Sequence, residues 1–195
     1  DLEAVDRISR QLIDEADVID TLVLNAGLQL AGTRAPQWSR QGIELTFAVN
    51  QLAHQRLPEN LLPVLKRGHQ PRAVITASDV HNPLSGGGRV GRPADLGRLD
   101  GLRSGTGFAM VDGGTFDADK AYKDSKLCNM LFMAEAARRW GGGGLTANAF
   151  SPGLIADPKG FFRNQNPKFA AVFNSISRAA GVAETNDFAG SALAY

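Results

Sequence analysis

Three short apolar runs, each followed by small or polar residues, constrain the fold of this chain more than any other feature. They occupy 20–24, 73–77 and 145–150, and segments of helical character separate them. Apolar runs of this length are typical of strands buried on both faces of a parallel sheet. Strands that alternate with helices favour βαβ units. The sequence therefore predicts an α/β fold with a doubly wound parallel sheet.

Helical segments connect the predicted strands. We expect helices over 2–16, 42–55, 57–67, 119–140 and 186–195. Apolar residues at helical spacing predict a buried face on the long helix 119–140, formed by Leu127, Met130, Leu131 and Met133. A further apolar stretch, 157–176, is expected to form either a lid over a substrate or a packed surface helix.

Small and polar residues follow each predicted strand, at the edge where open α/β sheets bind ligands. Asn25-Ala26-Gly27 follows the first strand, Ser78 the second and Pro152-Gly153 the third. Small residues let a ligand approach the backbone closely, and the Ser78 hydroxyl can hydrogen-bond a carbonyl oxygen. Each residue is also common in ordinary turns and caps. Their occurrence in one order at successive strand ends favours a shared site.

Tyr122 and Lys126 lie four residues apart in the predicted helix 119–140 and therefore share one face. A positive charge beside a phenol favours the phenolate and lowers its pKa from about 10. We expect Lys126 to act on Tyr122 in this way, which would make the tyrosine a proton donor or acceptor at neutral pH. The same spacing also occurs on solvent-exposed helices. The interpretation therefore depends largely on the small and polar residues that follow the predicted strands.

These residues together resemble short-chain dehydrogenases/reductases, and within that superfamily the light-dependent protochlorophyllide reductases and their paralogues. The superfamily resemblance rests on Asn25-Ala26-Gly27, Asn50, Ser78, Tyr122 with Lys126, and Pro152-Gly153. The narrower resemblance rests on the block 121–130 (AYKDSKLCNM), the segment before it and the Phe161-Phe162-Arg163 region. It covers essentially the whole chain.

The resemblance implies an oxidoreductase that transfers hydride from a nicotinamide to an unsaturated carbon while Tyr122 delivers a proton. It implies that Ser78 polarises the substrate, that Lys126 holds the nicotinamide ribose and that Asn50 holds a water linking Lys126 to solvent. An ordinary surface asparagine is the alternative for Asn50. The other residues expected at the cofactor are Asp1, Leu2, Asn25, Ala26, Gly27, Pro152, Gly153 and Ile155. NADPH is the cofactor implied, with NADH as the alternative.

A long segment separates Ser78 from Tyr122, which lie 44 positions apart (122 minus 78). This distance is much shorter in most members of the superfamily, so we interpret 82–118 as an inserted loop. Long loops inside compact domains are usually functional or disordered. The resemblance implies that the insertion shapes a cavity for a bulky substrate. A flexible solvent loop is the alternative for its glycine-rich first half.

Composition excludes several classes of function. A formal net charge of +1 with interspersed charges gives no electrostatic case for nucleic-acid binding. The single cysteine, Cys128, excludes an internal disulfide, and the three histidines lack the spacing of a zinc site. No apolar run approaches the roughly 18 residues of a membrane span. We expect a cytoplasmic protein, or one peripheral to photosynthetic membranes, acting on protochlorophyllide or another bulky lipophilic small molecule.

The 195 residues correspond in size to one domain. A dinucleotide-binding sheet opens with a strand, a Gly-rich turn and a helix, and that fingerprint is absent. We therefore expect residues 1–195 to form a single partial NAD(P)-binding domain of the Rossmann type. It would lack its first βαβ unit, with Asp1 and Leu2 at the end of the third strand, and would stop short at the C-terminus. The oligomeric state stays open; the resemblance implies that a homo-oligomer, if it forms, would pack through the helix carrying Tyr122.

Four departures from the pigment-reductase pattern leave the substrate open. Leu154 replaces the usual cysteine after Pro-Gly, Asp79-Val80-His81 replaces a stretch with Thr and Gly, Gly27 replaces alanine, and Asp157 replaces threonine. The alternative is a dark-active paralogue acting on a lipophilic carbonyl or alcohol. A second alternative is a non-catalytic cofactor-binding protein. The retained Asn50, Ser78, Tyr122 and Lys126 argue against it.

Overall fold

The computed structural model describes residues 1–155, 171–172, 175, 177 and 183–194. Its helices are α1 (Leu2–Glu15), α2 (Leu45–Phe47), α3 (Ala53–Leu65), α4 (Asp100–Arg103), α5 (Ala118–Trp140) and α6 (Asn186–Ala194), and its strands are β1 (Thr21–Leu24), β2 (Arg72–Thr76) and β3 (Thr146–Phe150). A π-helical turn (Ala48–Leu52) joins α2 to α3, and 3₁₀ turns lie at Asp79–His81 and Gly141–Gly143. The expected lid at 157–176 lies outside the described residues, apart from 171–172 and 175.

The three strands form one parallel sheet in the order β1-β2-β3. The register pairs Leu24 with Ile75 and Ile75 with Ala149, so all three strands end at the same edge. Strands that alternate with helices give this parallel arrangement. The predicted α/β class is confirmed, and each strand begins and ends within one residue of its predicted limits.

The core lies between one face of the sheet and the helices α3 and α5. Leu24, Ala73 and Ile75 point into it and meet Leu61 of α3 and Phe132 of α5. Alternate residues point to the opposite face, where Val23, Arg72 and Asn148 are exposed. Among the described residues, helices therefore cover one face of the sheet, whereas the sequence predicted cover on both faces. An apolar run such as β1 hides the alternation, because a valine occupies the exposed position.

One helical stretch, 45–65, replaces the two helices predicted at 42–55 and 57–67. Gly42 has a positive φ of 70° and stays outside the helix, and the Glu44 carboxylate caps the N–H groups of Thr46 and Phe47. Pro58 lies inside the helix without ending it. The π-helical turn interrupts regular α-structure near Asn50, and π-turns of this kind are frequent at functional sites.

Helix α5 begins where Asp117 caps the N–H groups of Asp119 and Lys120. Residues 120–126 are buried on all sides, because the sheet covers one side of the helix and the insertion covers the other. Further along, Phe132 and Met133 form its core face. The prediction that Leu131 belongs to this buried face is wrong, because Leu131 is 54% exposed. The insertion covers a second side of α5, which the spacing of apolar residues along the helix does not predict.

Candidate functional site

The carboxyl edge of the sheet brings together the residues that follow the three strands. The Thr76 hydroxyl donates to Asn25 Oδ1 (2.7 Å), which joins the ends of β1 and β2. The Ala77 N–H donates to the Phe150 carbonyl (2.8 Å), which joins the ends of β2 and β3. The sequence prediction that Asn25, Ser78 and Pro152 share one edge agrees with this geometry, because parallel strands in register end together.

Tyr122 lies on the first turns of α5, is buried, and shares a side-chain hydrogen bond with Ser78. Burial raises the pKa of Tyr122 to about 12, and the Ser78 hydrogen bond opposes this rise only in part. The prediction that Lys126 lowers the Tyr122 pKa below its usual range is wrong for this arrangement, because desolvation of the phenolate outweighs the other effects. The phenol therefore keeps its proton at neutral pH.

Lys126 points from α5 to the end of β2. Its Nζ donates to the Thr76 carbonyl (2.7 Å) and lies 5.6 Å from the centroid of the Tyr122 ring. The side chain is 3% exposed, and burial lowers the pKa of Lys126 to about 8. The cation thus lies close enough to stabilise a phenolate that forms during a reaction, although it does not create one at rest.

Asn50 is fully buried in the π-helical turn and bridges two parts of the site. Its Oδ1 accepts from the Leu28 N–H (2.9 Å), and its Nδ2 donates to the Leu28 carbonyl (2.9 Å) and to Ser125 Oγ (3.0 Å). The Asn50 carbonyl accepts from Asn129 Nδ2 (2.7 Å). Both amide N–H bonds are therefore used in holding the loop after β1 against α5. Its predicted role in holding a water stays a prediction.

The residues expected at the cofactor fall into two groups. Asn25 and Ala26 are exposed at the carboxyl edge, with Gly27 half-buried beside them. On the far side, Gly153 turns the chain with a positive φ of 80°. A side chain there would lie 2.8 Å from Glu184 Cγ. Together these segments line the carboxyl edge at the ends of β1 and β3.

Two further segments were predicted at the cofactor. The segment after Gly153 continues through Leu154, which accepts from the Glu184 N–H (2.8 Å), to the half-buried Ile155. Asp1 and Leu2 are held at the start of α1 by Gln41. The contact of these residues with a cofactor stays a prediction.

Solved structures share this fold. A short-chain dehydrogenase from Salmonella enterica matches 85% of this chain and 56% of its own, with a TM-score of 0.54 and 22% identity. The 3-alpha-hydroxysteroid dehydrogenase from Pseudomonas, solved with NADH, matches 89% of this chain and 70% of its own, with a TM-score of 0.54 and 22% identity. A protein from Shigella flexneri solved with NADP matches 85% and 57%, with a TM-score of 0.52 and 20% identity. At these identities the likeness shows the fold alone.

Sequence comparison adds a nearer relationship. No protein-family model matches the chain. Protochlorophyllide reductase from Avena sativa is 40% identical over 185 residues, 89% of this chain and 58% of the relative, and the chloroplastic enzyme from Pisum sativum is 39% identical over 184 residues, 89% and 46%. Over 89% of its length the chain is therefore similar to protochlorophyllide reductases, and its fold is that of the short-chain dehydrogenases/reductases. The chain spans about half the length of the curated relatives it matches.

The insertion is packed onto α5 by two buried lysines. Lys123 Nζ donates to the carbonyls of Gly88, Val90 and Arg92. Lys120 Nζ forms ion pairs with Asp124 (2.6 Å) and Asp112 (3.0 Å). These contacts tie part of the glycine-rich half to α5, although most of its residues are exposed. Sequence reasoning missed both lysines, because a lysine on a helix usually faces solvent.

His54 is another buried residue that sequence reasoning missed. His54 on α3 is 4% exposed, and neither of its ring nitrogens makes a well-formed hydrogen bond with a described residue. Burial, the charge of Lys126 and a weak opposing contact with the Asn50 carbonyl together lower the pKa of His54 to about 4. For His54, the sequence predicted only that the histidines lack the spacing of a zinc site. The available signal was its position one helical turn after Asn50.

His54 should make folding stability fall on acidification. The unfolded histidine takes up a proton below about pH 6.5, whereas the folded one stays neutral down to about pH 4. The unfolded state therefore binds more protons in this window, and stability is lost as pH falls, by about 3 kcal/mol at most from this group. His54→Leu should flatten the slope of unfolding free energy between pH 6.5 and 4, measured by urea unfolding. The exposed His69→Leu is the matched control, and an unchanged slope in His54→Leu would contradict the assignment.

The described residues contain no cluster of His, Cys, Asp or Glu able to hold a metal. Within the same residues, no helix combines the length and apolarity needed to cross a membrane. Cys128 packs beside Phe47 and Val111. Burial, helped by the charge of Asp124, raises the pKa of Cys128 to about 12.

Proposed function

We propose that this chain carries the catalytic residues of an NADPH-dependent short-chain reductase that acts on protochlorophyllide or a close chemical analogue. The observation that carries the proposal is the placement of Ser78, Tyr122 and Lys126 at the carboxyl edge of the sheet, with Tyr122 bonded to Ser78. The similarity to protochlorophyllide reductases over 89% of the chain supports the substrate class.

Tyr122 is the proton donor in this proposal. Its raised pKa keeps the phenol protonated until the substrate carbon takes the proton. Lys126, 5.6 Å from the ring centroid, then stabilises the phenolate that forms. The Ser78 hydroxyl holds the phenol in one orientation. Such general-acid catalysis contributes roughly 10²–10⁴-fold to a rate.

The nicotinamide cofactor supplies the hydride when bound. Residues at the carboxyl edge fit its binding: Asn25 and Ala26 are small and exposed, and the turn at Gly153 lies on the other side. Lys126 has N–H groups beyond the one given to Thr76, and these can bind ribose hydroxyls. NADPH rather than NADH is proposed from the similarity to protochlorophyllide reductases.

The insertion shapes the substrate side of the proposed site. Lys120 forms an ion pair within α5 and with Asp112, and Lys123 binds carbonyls of the insertion, so the insertion is tied to the helix that carries Tyr122 and would form a wall of the substrate site. A fixed wall orients a large rigid substrate better than a mobile loop does. This favours a bulky substrate over a small alcohol.

A dark-active reductase of a lipophilic carbonyl is the second candidate. Leu154 stands where the pigment reductases usually carry a cysteine, and His81 follows Ser78 with its Nδ1 2.7 Å from the Ser78 carbonyl. Both residues lie at strand ends beside the proposed site. Leu154 and His81 would change the chemistry of the site while Tyr122 and Lys126 are retained.

A light-flash assay separates the two candidates. The complete protein is mixed with NADPH and protochlorophyllide, and the red absorption band is recorded before and after a flash, with a dark control. We expect a light-dependent shift to a longer-wavelength product. Binding of NADPH without any such shift would exclude the pigment reductase. NADPH oxidation in the dark with lipophilic aldehydes or ketones would then identify the second candidate.

A further inference from the structure

A compact turn, residues 78–88, follows β2 and begins with Ser78 of the proposed site. The His81 N–H donates to the Ser78 carbonyl (3.3 Å), and His81 Nδ1 lies 2.7 Å from the same oxygen. A carbonyl only accepts, so Nδ1 carries a proton in this contact. The 3₁₀ turn at Asp79–His81 packs against α5, the helix that carries Tyr122. The backbone after Ser78 is therefore folded back on itself beside the proposed proton donor.

One hydroxyl, that of Ser85, closes the 78–88 turn. Ser85 Oγ lies 2.7 Å from the Asp79 carbonyl and 2.9 Å from the Asn82 carbonyl, so its one proton is shared between the two. The same oxygen accepts from the Gly88 N–H (2.9 Å). The packing is tight, because a Cβ at Gly88 would overlap the Asn82 carbonyl oxygen. Ser85 therefore binds both ends of the turn, including the residue directly after Ser78.

The far end of the 78–88 turn is fixed to α5. The buried Lys123 ammonium donates to the Gly88 carbonyl (3.1 Å), and Lys123 directly follows Tyr122 in the chain. A continuous run of hydrogen bonds thus joins the neighbour of Tyr122 to the neighbour of Ser78. Such a connection matters because a misplacement of about 1 Å can slow a reaction roughly 10²-fold. The run passes through the Ser85 hydroxyl, which is a side chain that can be removed without changing the backbone.

We propose that Ser85 is a positioning residue, which holds Ser78 where its hydroxyl binds the Tyr122 phenol. Ser85 acts through the backbone on either side of its own hydroxyl and not on the substrate. The inference rests on the proposed function, in which Ser78 orients the proton donor. A purely structural hydroxyl would close the turn without affecting the hydrogen bond between Ser78 and Tyr122, and this difference can be measured.

The first test is a double-mutant cycle on the complete protein, in the light-flash assay with NADPH and protochlorophyllide. We expect Ser85→Ala to slow proton transfer roughly three- to tenfold, the scale of one hydrogen bond, with NADPH affinity unchanged. The same substitution should have no further effect in Ser78→Ala, because residues that act through one another are not additive. Ser85→Thr keeps the hydroxyl and should restore the rate. No loss in Ser85→Ala, or an equal loss in both backgrounds, would overturn the proposal.

Ser104→Ala is the matched control within the same insertion. Ser104 Oγ donates to the Gly101 carbonyl (2.6 Å), three residues earlier, just as Ser85 reaches the Asn82 carbonyl. Its hydrogen bond lies outside the 78–88 turn, so we expect the rate of proton transfer to stay unchanged. A loss in Ser104→Ala equal to that in Ser85→Ala would assign the effect to general loosening of the insertion and would overturn the proposal.

A second readout needs no turnover and separates this proposal from the proposed function. The tyrosines are replaced by fluorotyrosine, and the fluorine NMR signal of Tyr122 is identified by its loss in Tyr122→Phe. Ser78→Ala gives the signal of a phenol without the serine hydrogen bond. We expect Ser85→Ala to shift the signal toward that position and Ser85→Thr to leave it in place. Such a shift supports the proposal even if protochlorophyllide is not the substrate, and an unmoved signal in Ser85→Ala overturns it, whatever the melting temperature.

Discussion

Tyr122→Phe is expected to reduce turnover by roughly 10³-fold, within the range that a general acid contributes. The substitution removes the one proton that the buried phenol holds beside Ser78 and leaves the ring in place. Lys126 and Asn25 keep their positions, so NADPH affinity should change little. The measurement is product formed per flash at saturating NADPH, together with NADPH affinity by fluorescence titration.

Ser78→Ala is the companion variant, because it removes the orienting hydrogen bond and keeps the proton donor. We expect a smaller loss, about tenfold, the scale of a single hydrogen bond. Activity in Tyr122→Phe equal to that of the unchanged protein would show that the proton comes from another group. Loss of NADPH binding in the same variant would instead assign Tyr122 a structural role in the cofactor site.

Lys123→Met is expected to destabilise the protein by about 3 kcal/mol, since buried polar groups left unpaired cost this much or more. Three carbonyls, those of Gly88, Val90 and Arg92, converge on the buried Lys123 ammonium. Methionine has similar length and cannot donate to any of them. The insertion should loosen, and limited proteolysis should cut between 82 and 98 before the rest of the chain unfolds.

Arg138→Met on the same helix is the matched control. Arg138 pairs with Glu135 at an exposed position, and Glu135 keeps a second partner in Arg139. Exposed pairs contribute about 0–1 kcal/mol, so the midpoint of urea unfolding should hardly move. Resistance to proteolysis and an unchanged midpoint in Lys123→Met would show that the three carbonyls find other donors, and that the lysine does not fix the insertion.

The candidate site could be predicted in part, because local spacing determines some contacts completely. Tyr122 and Lys126 share a helix face at any packing of that helix. Asn25, Ser78 and Pro152 follow strands whose parallel pairing forces their ends to one edge. These inferences needed only the period of a helix and the direction of a parallel sheet. The pKa of Tyr122 was predicted with the wrong sign, because the extent of its burial depends on the insertion and the sheet around it.

The remaining features depend on which segments meet, which sequence spacing does not encode. Lys123 looks like a solvated lysine until the carbonyls of 88–92, more than 30 positions earlier, are folded against it. Asn50 looks like a poor helix residue until the fold brings the Leu28 N–H to its Oδ1 as a donor and Ser125 Oγ to its Nδ2 as an acceptor. His54 has no motif, and its isolation among unpaired polar atoms exists only in the packed interior.

The sequence by itself determined the α/β class, the strand and helix order and the shared face of Tyr122 and Lys126. Each follows from the period of apolar residues and the short-range geometry of the backbone. Only the tertiary structure decided the π-helical turn, the contacts of the insertion with α5 and the protonation states of Tyr122, Lys126 and His54. Burial and electric fields sum over every neighbour in space, and most of those neighbours are distant along the chain.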